Sequence, residues 1–308
     1  MTLQELRFII ALAREKHFGN ASKRMHVSQP TLSIAIKKLE KELGVTLFER
    51  NKNDVYITPI GKEVIERALR VVAEADAIKE AAKCEKDQLN APLKLGAIYT
   101  VGPYLLPPMI VSLQKLAPQM SLEIQEDYTA NLREKLNAGE LDAIVISYPF
   151  SVPGIVTKTL YEEPFVVLMA ENSELAKFPA IEDKMLLNQN ILMLGEGHCF
   201  REQVKSSCPA CFKSKSGASW HTVAGSSLET IRQMVAAKMG VTILPATAAR
   251  PASHLDNLLA IRPLKGGGTT RTIALAWRQS FPRLKAIDLI LKVVTECQTL
   301  NSAINSVK

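Results

Sequence analysis

The sequence predicts an α/β protein with a winged helix-turn-helix at its N-terminus, a long linker helix, and a two-lobed α/β domain. Three observations carry this. Residues 1–60 hold three short helical patterns and then two alternating ones. Residues 61–90 read as one unbroken helix. After Pro92, short apolar strands alternate with helices. The expected domains are 1–60, 61–90 and 91–308, with lobe I about 91–161 plus 268–308 and lobe II about 162–267.

Composition agrees with soluble globular protein: 308 residues, 47% hydrophobic and 22% charged. A chain this long buries a large core without staples. The apolar run near the start is too short for a secretory or membrane segment, so a cytoplasmic location is expected, with thiols normally reduced. Net charge is +7. Residues 1–60 carry ten Lys/Arg against six Asp/Glu, the densest positive segment. That is a weak pointer to nucleic acid.

In "LQELRFIIALAREKH", Leu6, Ile9, Ile10 and Ala13 fall at helical spacing. His17, Phe18 and Gly19 break it, and Asn20 is the expected cap of the short second helix. In "SQPTLSIAIKKLEKELG", Ser28 is a good N-cap and Pro30 is tolerated in the first turn. Leu32, Ile36, Leu39 and Leu43 form the expected buried stripe, and Gly44 ends the helix. The front of this third helix, Ser28 to Thr31 with Ser33 and Lys37, would face a major groove. Gln pairs bidentately with adenine, while Thr and Ser bond more permissively. "VTLFERNKNDVYITPIG" reads as a two-stranded wing, with Arg50 and Lys52 placed to touch phosphate or the minor groove.

"FGNASKRMHVSQPTLSIAIKKLEKELGVTLFER" resembles the N-terminal region of LysR-type transcription regulators. The pattern is present as Ala21, Ser28 to Ser33, Leu39-Glu40, Leu43-Gly44, and Leu47-Phe48 with Arg50. The resemblance implies binding to double-stranded promoter DNA as an activator that works with RNA polymerase. No membrane partner, cofactor, metal or enzyme activity is expected.

The linker helix carries Val64, Ala68, Val71, Ala75, Ile78 and Ala82 at alternating four- and three-residue spacing, an a/d seam. Packing against its own domain would also use such a seam. The resemblance favours pairing into a homodimer or homotetramer.

Beyond Pro92, "LKLGAI", "SLEIQEDY" and "AIVISY" read as strands separated by helices, an order that implies a parallel sheet. A second set follows in "PFVVLMA", "NILMLG", "HTVAG" and "VTILP", with the helix of "SLETIRQMVAAKMG". "TIALAW" and a last helix from Leu284 to about Leu300 return to lobe I. LysR-type effector domains resemble periplasmic binding proteins in this respect, and a cleft between lobes suits a small molecule. A phosphate-cradling loop, a Gly-x-Ser-x-Gly elbow and a His-Glu-x-x-His pair are all absent from the sequence.

"GEGHCFREQVKSSCPAC" holds Cys199, Cys208 and Cys211 of the five cysteines. His198 and these three could be zinc ligands, although a helix separates the two halves. They could be ordinary packing cysteines. They could form a redox switch. "TVGPYLLP", "GEGHC.R.Q....C", "SLETI..MVAA..G" and "VTILP" resemble the peroxide-sensing members of the LysR family. That resemblance implies hydrogen peroxide as the signal, Cys199 as the attacking thiol and Cys208 as the resolving one. It also implies that Thr100, Thr129 and His198 line the pocket, with Arg271 and His221 as further candidates. The pattern does not call for Cys211. Cys84 reads as a packing residue, and the sequence leaves the role of Cys297 on the final helix open.

The chemistry suits these residues. Attack on an O–O bond needs a thiolate, which the N-terminus of a helix favours, and His198 and Arg201 are expected to add positive charge. A sulfenic acid then condenses with a second thiol. Nine helical residues span roughly 13 Å, whereas a disulfide needs Cα atoms within about 7 Å, so the segment must unwind first. An organic effector bound in the interlobe cleft is the alternative.

Overall fold

The computed structural model describes residues 1–50, 55–83, 88–209, 220–223, 227–249, 256–266 and 269–305. The chain divides into two compact units, one of Met1–Lys86 with Asn137–Glu140 and one of Asp87–Leu136 with Leu141–Lys308.

The first unit begins with helix α1 (Leu3–Glu15), capped by a reciprocal Thr2–Glu5 box. Lys16 ends it in the left-handed conformation at φ 48°. The turn is thus complete within two residues, and α2 (Phe18–Arg24) starts earlier than expected. Its cap is His17, not Asn20: the imidazole Nδ1 accepts from the Asn20 N–H at 3.3 Å. Helix α3 (Gln29–Leu43) is capped by Ser28 and closed by Gly44 at φ 70°, as the sequence predicts. Leu32, Ile36 and Leu39 are buried, but Leu43 is 37% exposed. It sits in the last turn, where the helix has already run past the core.

Strands β1 (Phe48–Arg50) and β2 (Val55–Ile57) pair antiparallel as the wing. Helix α4 (Pro59–Lys83) follows. Its expected seam divides in two. Ala68, with Ile65, is buried in the core built by α1 and α3, and Val64 packs against it. Val71 and Ile78 stay exposed at 46% and 68%.

The second unit is built on a mixed sheet. Strands β3 (Leu93–Ile98), β4 (Leu122–Asp127) and β5 (Ala143–Ser147) run parallel, with α5 (Gly102–Leu116) and α6 (Thr129–Asn137) as crossovers. The sheet then departs from the parallel expectation. Strand β12 (Thr270–Arg278) pairs antiparallel with both β5 and β6 (Ile155–Ala170). The chain leaves lobe I along β6 and comes back along β12, and two connecting strands of opposite direction pair antiparallel. The order is β4-β3-β5-β12-β6-β11-β7, with β10 also on β6. Here β7 is Ile181–Glu182, β10 Thr242–Pro245 and β11 Leu259–Lys265. The first half of β6, β7 and β11 were not expected, because Lys, Glu and Pro interrupt their apolar runs.

Strand β6 crosses between two cores. Ile155 to Pro164 pair with β12, while Phe165 to Ala170 pair with β10 and β11. One core gathers β3, β5, β12, α5, α6 and α9 (Leu284–Thr295). The other gathers the far half of β6 with β8 (Ile191–Leu194), α7 (Cys199–Ser207) and α8 (Leu228–Ala236). Strand β9 (Trp220–Val223) pairs parallel with β8. The expected last helix is two, α9 and α10 (Gln298–Asn305). Among the described residues, no helix is long and apolar enough to cross a membrane.

Candidate functional site

Helix α7 is the structural centre of the site. Phe200, Val204 and Cys208, four residues apart, are buried in the lobe II core. Cys199 and Gln203 face the other way. Cys199 packs against the lobe I core. The Gln203 amide donates to Ser147 Oγ at 2.7 Å and to the Tyr148 carbonyl at 3.0 Å, at the end of β5. The helix is therefore wedged between lobes.

Cys199 is the first residue of α7, at the positive end of its dipole, and is a half-buried free thiol. It lines a small cavity with Ile98, Tyr99, Thr100, Asp127, Tyr128, Thr129, Gly197 and His198. The cavity holds about 10 Å³, room for one water-sized molecule. The sequence-predicted Thr100, Thr129, His198 and Cys199 are thus brought together. Thr129 Oγ1 is buried with no hydrogen-bond partner. An orphaned hydroxyl in a polar cavity is a ready place for a small polar ligand.

His198 departs from expectation. Burial pushes its imidazole below the ordinary value, so it is neutral and adds no positive charge at neutral pH. It packs edge-on against Tyr128 and Tyr99, with ring centroids 4.8 and 5.9 Å away. Gly197 before it has φ +92°, and a Cβ there would meet the Tyr128 ring at 3.1 Å. Asp127 opposes burial, the largest influence on it, with hydrogen bonds from Lys135, Asn131 and the Tyr128 N–H. These hold its carboxylate below the usual value. The Arg201 guanidinium donates to the Leu194 carbonyl at 2.9 Å.

Arg271 lies behind Thr100 instead of lining the cavity. Its Nη1 donates to Thr100 Oγ1 and its Nη2 to the Thr100 carbonyl, both at 2.9 Å. Its charge is committed to Glu163, with Nε to Oε1 at 2.7 Å, and both side chains are fully buried. The signal for this pair in the sequence is a charge at the edge of an apolar strand in each case, "EEPFVV" and "RTIALAW". Tyr99, Tyr128 and Asp127 carried no such signal.

Cys208 ends α7, fully buried, and is disulfide-bonded. Cys199 and Cys297 are free. The Cys199–Cys208 bond that the resemblance implies is therefore not the one present here. Cys84 and Cys211 lie outside the described residues, as do Lys52 and the side chains of His221 and Arg50.

In the first unit, Ser28, Gln29, Pro30, Thr31 and Lys37 are all exposed at the front of α3, and Ser33 is half-buried. Ser28 Oγ accepts from the Thr31 N–H at 3.2 Å and lies 2.7 Å from Thr31 Oγ1, so the two hydroxyls also serve the cap.

A winged helix-turn-helix joined to a two-lobed domain with a small pocket is the architecture of a DNA-binding transcription regulator. Residues 3–62 match the model of bacterial regulatory helix-turn-helix proteins of the lysR family, and residues 86–298 match the LysR substrate binding domain. The chain belongs to the LysR family. Within it the chain is OxyR-like. It is 36% identical over 282 residues to the DNA-binding transcriptional dual regulator OxyR of Escherichia coli, covering 92% of this chain and 91% of that one. It is 32% identical to the hydrogen peroxide-inducible genes activator of Haemophilus influenzae, over 96% of this chain and 97% of that one. A full-length OxyR structure from Pseudomonas aeruginosa matches with TM-score 0.77 and 47% identity, covering 97% of this chain and 96% of that one. An H2O2-bound OxyR mutant from Corynebacterium glutamicum matches with TM-score 0.63 and 29% identity, covering 100% and 96%.

Proposed function

We propose that this chain is a transcriptional regulator that reads hydrogen peroxide through Cys199. The observation that carries the reading is the cavity itself. A free cysteine at a helix N-terminus shares about 10 Å³ with the buried, unpartnered Thr129 hydroxyl and with Thr100. That volume is on the scale of a very small polar molecule. The Cys199 thiol first releases its proton to solvent, the thiolate attacks one peroxide oxygen, the O–O bond breaks, and the departing hydroxide takes up that proton and leaves as water. The product is a sulfenic acid.

With Cys208 present as a thiol, its sulfur attacks the Cys199 sulfenic sulfur. The S–S bond forms and water departs. Cys199 and Cys208 sit at opposite ends of α7, roughly 13 Å apart along the axis, so the helix must unwind for this step. Pro209 directly after Cys208 leaves that end easy to fray. Unwinding releases Phe200 and Val204 from the lobe II core and Gln203 from Ser147. The response reaches DNA through two chains paired along the exposed Val71 and Ile78 of α4. The front of α3, Ser28 to Thr31 with Ser33 and Lys37, and Arg50 of the wing, contact the promoter. The chain is consumed stoichiometrically by oxidant and does not turn over as an enzyme.

Thiol titration with disulfide mapping by mass spectrometry tests the reading. Two thiols lost per chain on peroxide, with a Cys199–Cys208 cross-link, support it. A Cys199→Ser chain that still switches promoter binding overturns it. A cross-link of Cys208 to Cys211 alone would move the resolving role.

A further inference from the structure

We infer that Glu163 is a positioning residue for the reaction at Cys199, acting through Arg271 on Thr100, with Thr247 fixing Glu163 in turn. The inference rests on the peroxide reading above and extends it to residues outside the cavity.

Glu163 is fully buried on β6, directly across the ladder from Arg271 on β12. Each of its carboxylate oxygens has a defined task. Oε1 accepts from Arg271 Nε at 2.7 Å. Oε2 accepts from the Thr247 hydroxyl at 2.6 Å and the Thr247 N–H at 3.2 Å. Thr247 is itself 5% exposed and lies in the short helical turn Ala246–Ala249 after β10. The Arg271 guanidinium spends its other two nitrogens on the hydroxyl and carbonyl of Thr100. Its carbon lies 5.2 Å from the centroid of the Phe200 ring, in the first turn of α7 next to Cys199.

The chain of contacts thus runs Thr247, Glu163, Arg271, Thr100 and ends in the cavity wall. A hydroxyl accepting from Arg271 has its own hydrogen left to donate, and the Arg271 contact fixes where it points. A buried ion pair is weak evidence for stability, because well-packed apolar residues of the same volume serve as well or better. What the charges supply here is direction. Without Glu163 the planar guanidinium loses the partner that sets its orientation, and Thr100 Oγ1 loses its fixed donor. Thr247 belongs to lobe II and Thr100 to lobe I, so the same contacts set the cavity by the relative placement of the lobes.

The test compares two rates at Cys199 in the full-length protein: the second-order rate with hydrogen peroxide, and alkylation by iodoacetamide, which needs no aligned hydroxyl. Thr247→Val removes one donor and keeps the volume. It is expected to lower the peroxide rate about tenfold, the scale of one misdirected hydrogen bond, with alkylation unchanged. Thr247→Ser restores the rate. Glu163→Gln lowers it further. In a Thr100→Val background neither change has an additional effect, because both act through Thr100. Unchanged rate ratios in Thr247→Val overturn the inference, as does a full additional loss in the Thr100→Val background. Should Glu163→Gln not fold, Thr247→Val and its Ser rescue carry the test alone. A Cys199→Ser control separates the two levels. If that variant still loses thiol to peroxide at the rate of the unsubstituted chain, the peroxide reading itself fails. If it does not, and Thr247→Val is silent, only the positioning role fails.

Discussion

The two ends of α7 carry the same residue type in opposite surroundings. Cys199 opens the helix, half-buried, on a cavity lined by Thr100, Thr129 and His198. Cys208 closes it with no exposure at all, inside the lobe II core beside Val204. Cys199 is a free thiol and Cys208 is disulfide-bonded, and even with both as thiols, access would decide which one meets a small oxidant first. The proposed order of events, attack at the front and resolution at the back, accords with this packing.

The largest effect should come from the front. Cys199→Ser should slow thiol loss to peroxide on the order of 100-fold or more, measured by stopped-flow. Cys208→Ser should leave that first step within about twofold and let the sulfenic acid persist, trapped by dimedone. Equal loss in both variants would erase the distinction between the ends.

Gly197→Ala probes the front without touching a reacting atom. Its φ of +92° and the Tyr128 ring 3.1 Å from any Cβ predict a loss of about 1–2 kcal/mol in urea unfolding. Gln203→Ala probes the anchor between the ends. Loss of its hydrogen bonds to Ser147 and Tyr148 should cost roughly 1 kcal/mol. It should also speed exchange of α7 amides about fivefold, and disulfide closure with it.

The smallest effect is one of pH. Burial holds the folded His198 imidazole below its ordinary value of 6.5. The unfolded chain therefore takes up the proton first. Stability is fully present above pH 6.5 and falls as pH drops below it toward the folded value. His198→Gln should flatten that part of the stability–pH curve, and a steeper curve in the variant would contradict the neutral assignment.

Legibility differed between regions for a physical reason. Helix-turn-helix elements are local, and Ser28, Pro30 and Gly44 mark their ends by rules that act within a few residues. The second cap went astray, because an imidazole took the role expected of an amide, and Leu43 lies past the buried stripe it was expected to join. In the sensor unit the parallel half of the sheet was legible from strand–helix alternation. Its antiparallel half was not, since β6 and β11 carry charges and prolines that hide a strand pattern. The cavity residues near Cys199 came from resemblance. The Arg271–Glu163 pair joins positions 108 residues apart, and no local rule reaches that far.

Three prolines meet where β6 passes from one core to the other. Pro164 on β6 pairs with Thr270, Pro245 on β10 with Phe165, and Pro263 on β11 with Val166. None has an N–H, so none can donate to a neighbouring strand at this level. The two cores thus join along a level of β6 where three strands have no N–H to offer, one residue from Glu163 and beside the arginine that holds the wall of the thiol pocket.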